Sequence, residues 1–186
     1  AANARTNTYK ENVGAGRQPG QTVRWDGSWN WYLYDSSKRL VTNFSSYLNQ
    51  TITNDPALCR MTIYDYSTNI LSGSGDAGTI HPFGPRSETD YIKGQAVSKR
   101  YLVYLPGEHR EIQCLSTSAA WDDSANLVTS TTTYTNTLFS GRTRSVKRPD
   151  GTMDIYYYAT ADYTSGSYSN QQNVTNIIMS GQPDSY

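Results

Sequence analysis

The sequence contains few of the residues that usually build a protein core. Leu, Ile, Val and Phe make up a small share of its 186 residues, and only three residues are Phe. So small a share approaches that of disordered chains, but disorder normally comes with high net charge and few aromatic residues. Sixteen Lys and Arg residues balance sixteen Asp and Glu residues, and 12% of the chain is aromatic. The composition therefore favours a folded chain.

The chain also lacks an excess of positive charge and any long apolar run. Nucleic-acid binding depends on clustered Lys and Arg residues that release counterions, so the balanced charge argues against a nucleic-acid partner. No run approaches the roughly 20 apolar residues that a membrane-spanning helix needs. The first ten residues, AANARTNTYK, hold no apolar core of a signal peptide, and the initial Ala predicts a processed or excerpted product.

Cysteine and histidine are equally scarce, which removes most catalytic and metal-binding patterns. Cys59 and Cys114 lie far apart, and both a disulfide and two buried thiols fit the sequence. His81 and His109 belong to no nucleophile or zinc motif, and His109 is expected in a turn. No two carboxylates are spaced so that they face each other across a cleft. We therefore expect no enzyme activity, no cofactor and no metal.

Tyr, Thr, Ser, Asn and Gly are abundant instead, with 16 tyrosines alone. These residues favour strands and turns over helix interiors, and no segment keeps an apolar period of 3.6 residues. A Tyr ring with its polar tip suits a half-exposed sheet surface. The sequence predicts strands at residues 22–24, 29–34, 39–44, 61–65, 70–72, 101–105, 111–115, 127–134, 142–147, 153–159 and 174–179.

Gly and Pro residues mark where these strands end. Asp26-Gly27, Pro106-Gly107 and Asp150-Gly151 are typical of tight turns. Residues 72–94 are rich in Gly and Pro and predict a long loop. The chain is therefore expected to consist of three parts: a first β-hairpin repeat unit at residues 1–71, the Gly/Pro-rich loop at residues 72–94, and a second β-hairpin repeat unit at residues 95–186.

The segment WNWYLY, residues 29–34, places ring side chains on both faces of one strand. Side chains alternate along a strand, so Trp29, Trp31 and Leu33 share one face while Tyr32 and Tyr34 share the other. A strand of a compact β-sandwich would carry rings on one face only. The pattern favours a single sheet with solvent on both sides, held by cross-strand pairs worth about 0.2–1 kcal/mol each. The compact β-sandwich is the alternative fold.

One motif recurs along the chain: an aromatic residue, Asp, four polar or small residues and an aliphatic residue. The three copies begin at Tyr34-Asp35, Tyr64-Asp65 and Trp121-Asp122. In each copy we expect the Asp to accept backbone N–H groups of the turn that follows a strand. We expect the aliphatic residue, Leu40, Ile70 or Leu127, to open the next strand.

This motif resembles the YD repeat of RHS-type proteins, whose consensus is Tyr-x-Tyr-Asp-x-x-Gly-Arg-Leu. The segment YLYDSSKRL matches five of its positions and has Lys38 where the consensus has Gly. The copy TIYDYSTNI has Thr68 and Asn69 in place of Gly-Arg. The resemblance covers residues 25–159 unevenly, with one good copy, two degraded copies and two suggestive ones.

The resemblance implies hairpins that add side by side, in an all-β fold whose antiparallel hairpin repeats form a curved or spiralling sheet. It implies a structural, non-enzymatic protein outside the cell or at its surface, which builds a shell, a stalk or a self-associating fibre. The expected partners are neighbouring repeats of a larger chain or further copies, because unpaired edge strands invite association.

A carbohydrate-binding or adhesive module is the alternative function, because exposed rings also stack on sugars. The candidate stacking residues are Trp25, Trp29, Trp31 and Tyr47. Cross-strand pairing of these rings is the simpler explanation. Three glycosylation sequons, at Asn43, Asn49 and Asn173, matter only if the source organism glycosylates the chain.

Overall fold

The computed structural model describes residues 8–12, 18–48, 51–135, 138–165 and 168–181, with side chains up to residue 158 except at residues 9–12. This part of the chain holds twelve strands and one 3-10 helix, Thr68–Leu71. The strands are β1 Thr8–Asn12, β2 Gln18–Val23, β3 Trp29–Tyr34, β4 Leu40–Ser45, β5 Arg60–Asp65, β6 Ser87–Ile92, β7 Gln95–Leu105, β8 Glu108–Gln113, β9 Leu127–Thr133, β10 Thr143–Lys147, β11 Met153–Ser165 and β12 Tyr168–Gly181.

The twelve strands form one antiparallel sheet in which spatial order follows chain order from β1 to β12. Each strand from β2 to β11 is hydrogen-bonded to the strand that precedes it and to the strand that follows it, and β1 and β12 lie at the two ends of the described sheet. The predicted all-β fold of antiparallel hairpins is confirmed. The alternative, a compact β-sandwich, needs two sheets, whereas the strands that the structure describes all belong to one.

The observed strands differ from the predicted ones at several places. β1 and β6 were not predicted, and β6 lies inside the expected loop at residues 72–94. The sequence of β6, SETDYI, looks like a loop because it carries two acidic residues, but Glu88 pairs across the sheet with Arg100. The expected strand at residues 70–72 is wrong, because Ile70 lies in the 3-10 helix.

The apolar core consists of two small clusters. Trp29, Phe44 and Cys59 form one, around the start of β3. Leu71, Tyr101, Val103, Ile112 and Cys114 form the other, around β7 and β8. These clusters leave most side chains of the sheet half-buried, in line with the low share of aliphatic residues in the sequence.

Tyrosine hydroxyl groups add hydrogen bonds that aliphatic side chains could not make. Four of them donate to main-chain carbonyl groups at distances of 2.8–3.0 Å. The pairs are Tyr34 with Pro19, Tyr66 with Leu40, Tyr101 with Ala119, and Tyr134 with Tyr156. The ring covers apolar surface while the hydroxyl satisfies the backbone. Tyrosine therefore replaces part of a conventional core.

Replacement of Trp29 by Ala is expected to lower the free energy of unfolding by about 3–5 kcal/mol, the usual cost of removing a buried Trp side chain. Trp29 is only 1% exposed, whereas Trp25 is 56% exposed. Trp25→Ala is therefore the matched control and should change stability by about 0.5 kcal/mol or less. Urea denaturation followed by circular dichroism measures both. Equal losses in the two variants would contradict the core assignment.

Candidate functional site: aspartate turns and a loop on a strand edge

Three five-residue turns, at residues 24–28, 35–39 and 148–152, share one backbone geometry. In each, the first N–H donates to the fifth carbonyl at 2.8–2.9 Å, and the fourth N–H donates to the first carbonyl at 2.9–3.0 Å. The residue after each turn opens a strand, β3, β4 or β11. The same device therefore closes three hairpins that are far apart in the sequence.

A carboxylate accepts the N–H of the fifth residue in all three turns. Asp35 does so from the first position, where it accepts the N–H of Arg39 at 2.9 Å. Asp26 and Asp150 do so from the third position, at 2.9 Å in both turns. An Asp at the first position and an Asp at the third position of the turn thus accept the same backbone N–H group, just before a strand begins.

These hydrogen bonds stabilise the ionised carboxylates. The backbone N–H of Arg39 is the largest influence that lowers the pKa of the Asp35 carboxyl. The hydroxyl groups of Ser28 and Thr152 have the corresponding effect on the pKa values of Asp26 and Asp150. Each turn is therefore most stable when its carboxylate carries a charge.

The fourth residue of each turn has a left-handed backbone, with φ of 82° at Gly27, 63° at Lys38 and 84° at Gly151. Glycine adopts this conformation without steric cost, whereas a residue with a Cβ atom does not. Lys38 occupies the position at which the YD consensus has Gly. The geometry gives a physical reason for that glycine.

The residue after Lys38 closes the same turn through its side chain. Arg39 forms an ion pair with Asp35, with an Nη2–Oδ2 distance of 2.8 Å. Its guanidinium also lies 4.4 Å from the centre of the Tyr66 ring. The Tyr66 hydroxyl donates to the carbonyl of Leu40. Asp35 and Arg39 therefore fix the turn, and Tyr66 joins it to the end of β5.

The second copy of the motif does not form this turn. The carboxylate of Asp65 accepts the N–H of Ser67 at 2.8 Å, and the chain then enters the 3-10 helix. Thr68 stands at the left-handed position, which a β-branched residue strongly disfavours. Asn69 replaces the Arg that would pair with the Asp. The expectation that Ile70 opens a strand is wrong for these reasons.

In the third copy, a different carboxylate accepts the backbone N–H group of the turn. Asp122 is exposed, and it is Asp123 that accepts the N–H of Ala125 at 2.9 Å. Asn126, at the Arg position, donates its side-chain amide to the carbonyl of Ala120 at 2.7 Å. β9 then begins at Leu127, as predicted. Trp121 packs against the cluster around Val103.

The tyrosines of the first two copies lie on the sheet rather than in the turns. Tyr34 ends β3 and donates its hydroxyl to Pro19 of β2. Tyr64 lies in β5 opposite Glu88 of β6. Burial, and then the charges of Glu88 and Asp90, raise the pKa of the Tyr64 hydroxyl. Tyr64 therefore stays neutral and acts as a sheet residue at ordinary pH.

The connection from β5 to β6, residues 66–86, is called the edge loop below. β6 begins at Ser87, which pairs with Tyr101, and β7 continues beyond this pair. The edge loop lies along that extension of β7, since the N–H of Leu102 donates to the carbonyl of Arg86 at 3.0 Å. The loop thus covers a strand edge that β6 is too short to reach.

The Asp76 side chain continues this pairing. Its Oδ2 accepts the N–H of Tyr104 at 3.0 Å, and its Oδ1 accepts the N–H of Gly78 at 2.7 Å. Burial alone would raise the pKa of Asp76, but these two N–H groups and Arg86 outweigh it and lower the pKa. The Asp76 carboxylate therefore accepts the N–H group of β7 that a carbonyl group of a neighbouring strand would otherwise accept.

Arg86 neutralises this carboxylate inside the protein. The side chains of Asp76 and Arg86 are 0% and 1% exposed, and the Nε–Oδ2 distance is 3.0 Å. The guanidinium also donates to the carbonyl groups of His81 and Gly84. A buried ion pair needs such additional hydrogen bonds to offset the cost of desolvation. The pair ties the middle of the edge loop to its last residue, just before β6.

Both histidines of the chain stack on one tyrosine ring. The His81 ring of the edge loop lies 4.7 Å from that of Tyr104, and the His109 ring of β8 lies 4.8 Å from it. His109 was expected in a turn but lies in a strand. A Cβ atom at Gly84 would come within 2.5 Å of His81 and 2.8 Å of the Tyr104 hydroxyl, so this stack requires glycine.

The predicted sugar-stacking residues lie in different environments. Trp29 is 1% exposed and offers no ring face to a ligand, which corrects that assignment. Trp31 packs against the same cluster. Trp25 is exposed in a turn, and Tyr47 lies between two cations, Arg60 at 5.6 Å and Lys93 at 5.3 Å.

The structure also locates both cysteines and the sequon residue Asn43. Cys59 and Cys114 are buried free thiols that belong to different clusters. Asn43 lies in β4 with its Oδ1 atom buried, a poor position for glycosylation. Asn49 falls outside the described residues, as does the side chain of Asn173.

An open groove of about 730 Å³ lies along β9, β10 and β11. Hydroxyl groups of Thr132, Thr133 and Ser145 line it, together with Arg144 and Tyr157. Among the described side chains, those that line it include no carboxylate, His or Cys. Among the side chains that the structure describes, no group of His, Cys, Asp and Glu is arranged to hold a metal ion. The described residues include no helix long and apolar enough to cross a membrane.

A porin-like protein from Bacteroides uniformis ATCC 8492, known from its crystal structure, has a similar fold. The TM-score is 0.52 over 95% of this chain and 76% of that chain, with 11% sequence identity. At this identity the likeness concerns the fold alone. No family model matches the sequence, and neither does any curated protein.

Replacement of Lys38 by Gly is expected to stabilise the protein by about 0.5–1 kcal/mol. The left-handed conformation costs a residue with a Cβ atom about 1–2 kcal/mol, and the flexibility of Gly in the unfolded chain offsets about 0.5–1 kcal/mol of that gain. Ser37→Gly, next to it and without a positive φ, is the control and should be neutral or destabilising. A thermal unfolding scan in which Lys38→Gly melts below the wild type would refute the turn assignment.

Replacement of Asp76 by Ala is expected to cost about 3–5 kcal/mol, because it leaves the Arg86 guanidinium buried without a counter-charge. The exposed Asp122→Ala is the control and should change the free energy of unfolding by about 0.5 kcal/mol or less. The double variant with Asp76→Leu and Arg86→Met should lose less free energy of unfolding than the sum of its two single changes. No unpaired charge remains in the double variant. Chemical denaturation measures all five variants: the three single changes at Asp76 and Arg86, the double change, and the control. Additive costs would show that the two residues act independently.

Proposed function

We propose that the chain is a structural, non-enzymatic part of an RHS/YD-type β-sheet assembly outside the cell or at its surface. Its role is to extend a sheet of hairpins that builds a shell, a stalk or a fibre. The observation that carries this proposal is the order of the sheet, in which twelve strands follow chain order without a crossover. Such a sheet lengthens by simple addition of hairpins.

The turns support the same proposal. The YD copy at Asp35 and the turns at Asp26 and Asp150 share one geometry, so hairpin closure is encoded locally and repeatedly. These repeated turns favour a protein whose function lies in its sheet.

The strand sequences suggest where a sheet of this kind would join another strand. β12, YSNQQNVTNIIMSG, contains no charged residue and no Pro, while β1, TYKEN, carries Lys10 and Glu11. Charges and Pro on a strand oppose pairing with a further chain. The uncharged strand β12 is therefore the joining edge in the proposed assembly.

Electron microscopy of the purified chain, together with light scattering, tests the proposal. Filaments, shells or stalks with strands spaced about 4.8 Å apart are the expected result. Thr175→Lys in β12 should weaken assembly, whereas Ser36→Lys in an exposed turn serves as the control and should leave it unchanged. Isolated compact monomers at all concentrations, for the wild type and both variants, would refute the proposal.

The glycan-binding alternative receives less support from the geometry. Of its four candidate residues, Trp29 is buried and Trp31 packs on the core. Glycan-array binding that Trp25→Ala or Tyr47→Ala abolishes would favour this alternative over the structural role.

A further inference from the structure

We propose that the stacked rings of His81, Tyr104 and His109 form an acid-sensitive latch. At neutral pH the latch holds the edge loop on β7. Proton uptake by His109 releases the loop and exposes the edge of β7. This inference concerns a loop within the chain, and it stands whether or not the protein assembles as proposed above.

The rings connect three parts of the structure. His81 belongs to the edge loop, Tyr104 to β7 and His109 to β8. The interplanar angles are 24° for His81 and 14° for His109, so both imidazoles lie nearly parallel to the phenol ring. Parallel stacking of this kind suits neutral rings in a partly buried site. Within this stack, the loop contacts the sheet through the rings alone.

Positive charge is already present at this site. The Arg86 guanidinium lies 4.7 Å from the centre of the Tyr104 ring. On β7, Arg100 lies close enough to oppose protonation of His109 electrostatically. A further charge on His109 would add to these cations in a partly buried site, where like charges repel more strongly than in water.

Acidic groups near the stack are engaged elsewhere. Glu111, on the same strand as His109, favours its protonated form, but its Oε1 pairs with Arg100 at 2.8 Å. Asp76 pairs with Arg86 inside the edge loop. On β9, the residue opposite His109 is the uncharged Thr131. Among the described residues, no carboxylate is therefore left to form an ion pair with a protonated His109.

Protonation would also leave a buried donor without an acceptor. The Nε2 atom of His109 is buried, and among the residues that the structure describes no hydrogen-bond partner lies within its reach. As a lone pair on a neutral ring this atom is tolerated, but as an N–H of an imidazolium it carries the full desolvation cost. Burial is the main reason that the pKa of His109 lies below its ordinary value of 6.5.

The direction of the pH effect follows from this lowered pKa. The open or unfolded state takes up a proton near pH 6.5, whereas the closed state resists it. The closed state is therefore fully favoured above about pH 6.5 and loses stability as the pH falls below that value. Carboxylates with an ordinary or lowered pKa stay largely ionised down to about pH 5. The window from pH 7.5 to 5.5 thus separates the protonation of His109 from that of the carboxylates.

Amide hydrogen exchange on the intact chain measures release of the loop. The reporters are the N–H groups of Leu102 and Tyr104, which donate to Arg86 and Asp76 of the edge loop. Their protection factors, corrected for intrinsic exchange, should fall about tenfold between pH 7.5 and 5.5 for one titrating histidine. The amides of β3 and β4 serve as internal controls and should keep their protection.

His109→Gln should abolish this pH dependence, because glutamine cannot take up the proton. Gly84→Ala should release the loop at pH 7.5 by displacing the His81 ring, and so reproduce the acid state. An NMR titration of the wild-type imidazoles provides a readout that needs no variant, and His109 should titrate below pH 6.5.

Three results would overturn the latch. They are unchanged protection of Leu102 and Tyr104 at pH 5.5, an equal fall in His109→Gln and wild type, and loss of protection in β3 and β4 over the same pH range. The third result would mean that acid unfolds the whole sheet rather than releasing one loop.

Discussion

The need to satisfy the backbone N–H just before a strand, seen at β3, β4 and β11, is the constraint on which these hairpins depend. In a sheet whose strands follow one another in chain order, each turn must reverse the chain and deliver the next strand in register. At residues 28, 39 and 152 a carboxylate takes the N–H just before the new strand starts. The left-handed residue one position earlier makes that reversal geometrically feasible. The register of β3, β4 and β11 follows from these two conditions.

The same constraint explains what could be predicted from the sequence. β3 was located to the residue, and β4, β5, β9 and β10 to within one, because aromatic and β-branched residues alternate between turns that contain Gly, Asp or Pro. β6 was missed because it directly follows a Gly- and Pro-rich stretch, and because the residues it pairs with, such as Arg100 opposite Glu88, lie in another strand. That pairing joins residues of different strands, and a local pattern does not contain it.

The edge loop shows a second limit of the sequence. Its Gly and Pro residues correctly indicated the absence of strands at residues 72–86, but nothing in them indicated a buried ion pair. Asp76 and Arg86 look like ordinary loop residues until the short β6 leaves part of β7 uncovered. Likewise, the meeting of His81 and His109 on Tyr104 follows from how the chain folds back, and their spacing in the sequence does not reveal it.

Pairing in chain order has a consequence for how such a protein arises. Every strand finds its partner in the segment synthesised just before it, so contact order stays low for an all-β fold and long loops need not close first. A growing chain can therefore acquire structure hairpin by hairpin as it emerges. Duplication of one hairpin in the gene would lengthen the sheet, and loss of one would shorten it. Neither change would disturb the remaining strands, which gives this architecture an unusual tolerance to changes in length.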